Sequence, residues 1–259
     1  MANSWILLLI VIGIITAIII AGFAAGYSTV FCFNRMPVDW LVDYGEEPDE
    51  SLYGVRLAAR PYGMALSIIF VLVFTFLVMQ YDSLFYILLG MVVLWLLMLI
   101  GIADHKYMII PDQLVAALAV AAAILAVVEL FTGGLAGLPP YFHKVWYSPI
   151  AGALIGGGSI YLIGVIGALL TRQEAMGFGD VKLLAAAGLL CGIRGILTVL
   201  VLTVLTSGIW FIILLAAKKI RRGDHKPLGP YIAASCGIYF VFYSQVGSLV
   251  DLYLDLYRI

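Results

Sequence analysis

Two aspartates stand where long apolar runs break off. Asp104 lies in Gly101-Ile102-Ala103-Asp104-His105-Lys106-Tyr107-Met108-Ile109-Ile110-Pro111-Asp112, and Asp180 lies in Gly177-Phe178-Gly179-Asp180-Val181-Lys182. A carboxylate at the edge of hydrocarbon is costly and needs a reason to be there. Two of them, each beside a Gly- or Pro-marked break, suggest a pair of carboxyls brought together as an acid and a base. The reaction such a pair suits is the hydrolysis of a peptide bond. The ionised member takes a proton from a water while the protonated member polarises the scissile carbonyl. Two like charges at short range do not both ionise readily, so the pair holds one proton between them and titrates as a unit. Gly177 and Gly179 fit this site by letting the backbone turn tightly and approach a substrate strand. Lys182 either stabilises the ionised carboxyl or snorkels to the membrane surface, and snorkelling is the expectation. Asp112, after Pro111, is expected to cap a helix N-terminus. Taken singly, Asp104 and Asp180 also have a plain reading, as residues that end or begin a span.

The elements that must hold these residues are membrane spans. Of the 259 residues, 64% are hydrophobic and 11% charged, with a mean hydropathy of +1.12. A soluble domain has roughly 25% charged residues, so most of this chain belongs in lipid. A net charge of −1 argues against nucleic acid as a partner. A crossing needs about 20 apolar residues. Eight stretches serve, about 5–26, 62–80, 84–103, 113–131, 148–171, 181–193, 195–217 and 229–250. The expected fold is therefore an all-α polytopic bundle of about eight spans. The first run is too long for a signal-peptide core and reads as a retained span. The sixth is short and rich in small residues (Ala185-Ala186-Ala187-Gly188), and the fifth carries Gly156-Gly157-Gly158-Ser159. Small residues of this kind suit close helix packing, although the glycine cluster reads equally as a kink.

If the eight spans alternate, 11 of the 14 basic residues fall on one side and Lys144, Arg194 and Arg258 on the other. The basic side is expected to face the cytoplasm, with both termini outside. Asp104 and Asp180 then share the cytoplasmic side, as a common site requires. The loop at 27–60 on that side is acidic, with Asp39, Asp43, Glu46, Glu47, Asp49 and Glu50. Such a run is usually a solvated face; its functional reading is attraction of a basic peptide segment. Loop 218–227 is basic and anchors orientation, and loop 132–147, with Gly133-Gly134 and Pro139-Pro140, reads as a connector. Cys32, Cys191 and Cys236 form no CxxC pattern and read as small packing residues. His105 and His225 have no metal-ligand spacing, so no metal is expected.

In this order, on one side of such a bundle, the motifs resemble those of the type IV prepilin peptidases. The segment from Asp104 to Pro111-Asp112 is similar to the family's first signature. Gly177-Phe178-Gly179-Asp180-Val181-Lys182-Leu183-Leu184 is similar to its GxGD signature, and Pro227-Leu228-Gly229-Pro230 to a third segment. The likeness covers roughly 84–245 well and the first 60 residues poorly. It implies a membrane aspartyl endopeptidase that removes the short basic leader of type IV pilins or pseudopilins after a glycine, on the cytoplasmic side of the inner membrane. Asp104 and Asp180 would be the catalytic pair, without a cofactor. Asp112, Gly177, Gly179, Lys182, Pro227, Gly229 and Pro230 would shape the site. The acidic loop, through Glu46, Glu47, Asp49 and Glu50, would draw in a basic leader. The partners implied are prepilin or pseudopilin substrates and the lipid bilayer.

The resemblance also divides the chain into residues 1–60, a methyltransferase-like region, and 61–259, the peptidase core. Bifunctional members methylate the new N-terminus with S-adenosylmethionine. Gly26, Arg35 and Pro37 match their opening segment, but Val30 stands where they usually have Asn, and Met64 where they have Glu. Their two zinc-holding CxxC pairs have no counterpart beyond Cys32. S-adenosylmethionine is expected only if that second activity is retained. Three other readings stay open. A presenilin-like GxGD protease would have its aspartates on neighbouring spans, whereas two spans intervene here. A carboxylate-based transporter would favour mid-span carboxylates and repeat symmetry. A silent scaffold of the same fold would not need both aspartates.

Overall fold

The computed structural model describes residues 2–42, 52, 54–132, 146–171, 177–219 and 226–256. The described chain is helical throughout, as apolar segments in lipid must be, because a helix satisfies every backbone polar group within itself. The helices are α1 (Ala2–Arg35), α2 (Met64–Gln80), α3 (Leu84–Tyr107), α4 (Asp112–Thr132), α5 (Ser148–Thr171), α6 (Phe178–Ala216), α7 (Gly229–Val241) and α8 (Tyr243–Leu256). Among the described residues six helices are long and apolar enough to cross a membrane, or seven if the bent pair α7–α8 counts as one. The protein is a multi-pass membrane bundle. Its outer faces fit lipid, with Trp5, Ile10, Leu154, Leu162, Val204 and Ile212 all exposed.

Helix α6 sits at the centre and packs against α5, α4 and α7, while α3 joins α7 to α4. Its 39 residues would make a rod of about 58 Å, twice the hydrocarbon thickness. Gly192 breaks it, with φ 65° and ψ −173°, a backbone conformation open to glycine and little else. The Leu184 carbonyl and the Ile196 side chain both lie against Gly156 of α5. In a straight helix residues twelve apart are about 18 Å distant, so α6 folds back on itself at Gly192. Its two legs, 178–191 and 193–216, overlap the stretches 181–193 and 195–217 read from the sequence, and the first, at about 21 Å, is shorter than the roughly 30 Å hydrocarbon. The turn is held where Ser148 Oγ accepts the Ile193 N–H at 3.2 Å.

Small residues make the contact between α5 and the first leg. Gly152 and Gly188 face one another so closely that neither has room for a Cβ, and Gly156 and Gly157 back onto Leu184, Val181 and Ala185. Packing, not kinking, is therefore the role of these glycines. Gly188→Ala is expected to lower stability by about 1–3 kcal/mol, as overpacking does, while Gly158→Ala, with nothing within 4 Å of its added carbon, is expected to be neutral. Thermal unfolding in detergent would separate the two, and equal midpoints would refute the packing assignment.

Two boundaries differ from expectation. The first span extends to Arg35, because Gly22 and Gly26 let α1 lie directly on Val71 and Ser67 of α2. The last span is not continuous, since α8 turns away from α7 by 93° at Phe242. Aromatic contacts hold that turn: Phe242 packs on Phe76 at 5.0 Å and Tyr243 on Tyr81 at 5.7 Å. Tyr81 also donates its hydroxyl to the Phe240 carbonyl at 3.0 Å.

Candidate active site

Each aspartate is placed by the way its helix begins or ends. Helix α3 stops because Met108 adopts the left-handed conformation at φ 55° and ψ 31°, its N–H bonding the Asp104 carbonyl at 2.8 Å. That leaves Asp104 in the last turn of α3, 4% exposed. A carboxylate at a helix C-terminus faces the negative end of the backbone dipole, so Asp104 needs a donor from elsewhere. Gly229 provides it, its backbone N–H donating to Asp104 Oδ2 at 2.8 Å. Gly229 is the first residue of α7, and Pro230 beside it has no N–H. Asp104 thus lies against a helix N-terminus, which is a natural anion site.

Gly229 has no alternative at this position. A Cβ there would lie 2.6 Å from Asp104 Oδ2 and 2.9 Å from Cγ. Pro227 and Leu228 lead into the turn, and Leu228 accepts the N–H groups of Tyr231 and Ile232. The third motif of the sequence is therefore the seat of the first aspartate.

Asp180 stands in the first turn of α6, at the positive end of that helix, and its N–H bonds the Gly177 carbonyl at 3.2 Å. Gly177 lies beside its carboxyl. The expectation that Gly177 and Gly179 are needed for a tight turn is not met. Gly177 has φ −71° and ψ 139°, open to any residue, and Gly179 is helical. Gly179 is instead needed for contact, because a Cβ would lie 3.1 Å from the Cβ of Ile110. Ile110, which the sequence reading left without a role, seats the segment after α3 against the turn that carries Asp180. An apolar residue between a helix end and Pro111 is its only signal in the sequence. Asp104 and Asp180, 76 positions apart in the chain, come within electrostatic reach of one another.

Asp112 and Lys182 are corrected by the structure. The Pro111 carbonyl accepts the first helical N–H groups, from Leu114 and Val115, so Asp112 is the first helical residue and not the cap. Both oxygens of its carboxylate accept from Lys182 Nζ, each at 2.7 Å. Lys182 therefore does not snorkel; it ties the start of α6 to the start of α4, two residues beyond Asp180. With the side chains 33% and 41% exposed, solvent screens the pair. A double-mutant cycle with Asp112→Ala and Lys182→Ala, read by thermal unfolding, is expected to give a coupling of about 0.5–1 kcal/mol. A value of zero would leave the pair without a positioning role. Glu46, Glu47, Asp49 and Glu50 lie outside the described residues.

Residues 91–212, which hold both aspartates, match the model of the type IV leader peptidase family. The segment that bears the site is therefore similar to the type IV leader peptidase family. The chain is 32% identical over 151 residues to the prepilin leader peptidase/N-methyltransferase of Xanthomonas campestris pv. campestris, covering 58% of this chain and 47% of that protein. It is 33% identical over 144 residues to the protein of that name from Aeromonas salmonicida, covering 54% and 44%. Over 152 residues it is 28% identical to that of Pseudomonas aeruginosa, covering 59% and 48%. The chain spans about half the length of the curated relatives it matches. No solved structure matches it. The leader-peptidase segment runs from the middle of α3 into the second leg of α6, so it excludes α7 and with it Gly229.

Proposed function

We propose that this protein is a membrane aspartyl endopeptidase that removes a short basic leader from type IV prepilins or pseudopilins after a glycine, at the cytoplasmic face of the inner membrane. The observation that carries this reading is the convergence of Asp104 and Asp180 at one end of the bundle, with the Gly229 N–H on one of the carboxyls. A scissile peptide placed between them meets one group to take a proton from water and one to polarise its carbonyl. Asp104, buried and hydrogen-bonded, is held fixed. Asp180 is less buried and sits at a helix N-terminus. Gly177 leaves room beside Asp180 for a substrate backbone. Orientation follows from the basic residues: Lys106, Lys182, Lys218, Lys219 and Lys226 all lie near the aspartate end in chain order, as the positive-inside tendency requires. In this reading residues 61–259 form the peptidase core, and the acidic loop at 27–60, through Glu46, Glu47, Asp49 and Glu50, attracts the leader.

The methylation in the relatives' names is not part of this proposal. S-adenosylmethionine would supply a methyl group there, but the described residues where α1 meets α2 do not fit it. Met64 offers only an exposed thioether. The Arg56 guanidinium is spent on the carbonyls of Leu52, Phe33 and Met36. Gly26 and Gly63 are closed off by Ser67 and Tyr27. The test is incubation of the detergent-purified protein with a prepilin whose basic leader ends in glycine, followed by mass spectrometry. The expected product has lost the leader, and its mass with S-adenosylmethionine present decides whether a methyl group is added. An uncut substrate that a known leader peptidase does cut would overturn the proposal.

A further inference from the structure

Between the α1–α2 pair and the α3–α7 wall lies a groove of about 980 Å³ that the peptidase reading does not use. Its walls are apolar: Ile69, Phe70 and Val73 from α2, Leu94 and Met98 from α3, and Ala234 and Ile238 from α7. Its two ends differ. At the aspartate end stand Tyr62, His105 and Lys106, all exposed, with Lys106 Nζ donating to the Arg56 carbonyl. At the other end Phe76 packs at a tilt on Phe242, and Leu77 and Phe240 both lie against Gly90, so the helices close together there. From Leu94 to Lys106 the groove follows α3 for about 18 Å, little more than half of the roughly 30 Å hydrocarbon. A membrane-crossing helix is about 30 Å long and would not stop halfway. Acyl chains entering from the leaflet at the aspartate end match both the depth and the blind end.

We propose that this groove binds one anionic phospholipid of that leaflet, with its tails between α2 and the α3–α7 wall and its headgroup phosphate on Lys106 and His105. Charge complementarity selects the anionic class, because no acidic side chain among the described residues lines the groove and its polar end is basic. A juxtamembrane lysine commonly attracts anionic lipid in this way. The site adjoins the catalytic residues without including them: Gly101, Ile102 and Pro230 line the groove and flank the Asp104–Gly229 hydrogen bond. A bound lipid would brace the wall on which that bond depends.

The test does not depend on peptidase activity. The full chain is placed in phosphatidylcholine nanodiscs with a trace of phosphatidylglycerol bearing a mid-chain photoreactive group, and crosslinks are mapped by mass spectrometry. Labelling is expected at Ile69, Val73 and Ile238, displaced by unlabelled phosphatidylglycerol and not by added phosphatidylcholine. Lys106→Gln is expected to weaken this labelling about fivefold. Ala234→Trp, which fills the groove from an exposed wall position, is expected to abolish it. The proposal is overturned if labelling at these residues merely equals that at Ile163 on the exposed face of α5. It is equally overturned if phosphatidylcholine competes as well, if Ala234→Trp labels like wild type, or if an apolar helical peptide displaces the label and phosphatidylglycerol does not.

Discussion

Asp104→Asn and Asp180→Asn are each expected to lower the rate of leader removal by about 10²–10⁴-fold, the range for loss of a positioned acid or base. Asparagine keeps the size of the side chain and still offers an oxygen, so the Gly229 N–H remains paired in the Asp104 variant. What is lost is the ability to take and give back a proton. Both variants are therefore expected to unfold within a few degrees of wild type. In the proposed mechanism the two carboxyls act as one unit, so the double variant is expected to be no slower than the worse single one. Single-turnover cleavage of a basic-leader substrate, with thermal unfolding of the same preparations, decides the matter. Retention of near-wild-type rates by either single variant would remove that residue from the chemistry. Losses that multiply in the double variant would mean that the two aspartates act in separate steps. Asp112→Asn sets the contrast: the Asp112 carboxylate is paired with Lys182 Nζ at 2.7 Å, so a smaller loss is expected.

The sequence made the aspartates legible because charge is so scarce in it. A carboxylate at the end of an apolar run is a large free-energy anomaly, and such anomalies are read without knowing the fold. The turn at Gly192 was legible for the opposite reason, since Gly192-Ile193-Arg194-Gly195 breaks the hydrophobic run and opens the one conformation the turn needs. The bend between α7 and α8 was not legible. Val241-Phe242-Tyr243 has no Gly, Pro or charge, and the direction of α8 is set by Phe76 and Tyr81, more than 150 positions away. Lys182 shows the same limit at the site. Its stem suits snorkelling and its charge suits Asp112 equally well, and only the approach of α4 to α6 chooses between them. Gly179 was read for conformational freedom and Gly229 only as part of a motif, yet both serve by close approach, which depends on what faces them.

Gly229 is where that distinction has the largest consequence. Gly229→Ala is expected to reduce kcat by about 10²-fold with KM little changed, and to leave the fold intact. The added methyl would lie 2.6 Å from Asp104 Oδ2 and 2.9 Å from its Cγ, so the carboxyl must rotate or α7 must retreat. Either movement breaks the 2.8 Å bond from the Gly229 N–H and shifts Asp104 relative to Asp180. A displacement of about 1 Å at a reacting group is enough for a loss of that size. Substrate recognition would suffer less, because the change acts through the orientation of Asp104. Gly101→Ala, one turn before Asp104, supplies the comparison. Its nearest neighbours, Ala233 Cβ and Pro230 Cα, are both 3.7 Å away, an ordinary contact. That variant is expected to stay within about twofold of wild type. If Gly229→Ala instead raised KM and spared kcat, the glycine would belong to substrate binding and the Asp104 seat would need another holder. If both alanine variants behaved alike, the close approach at α7 would carry no catalytic weight.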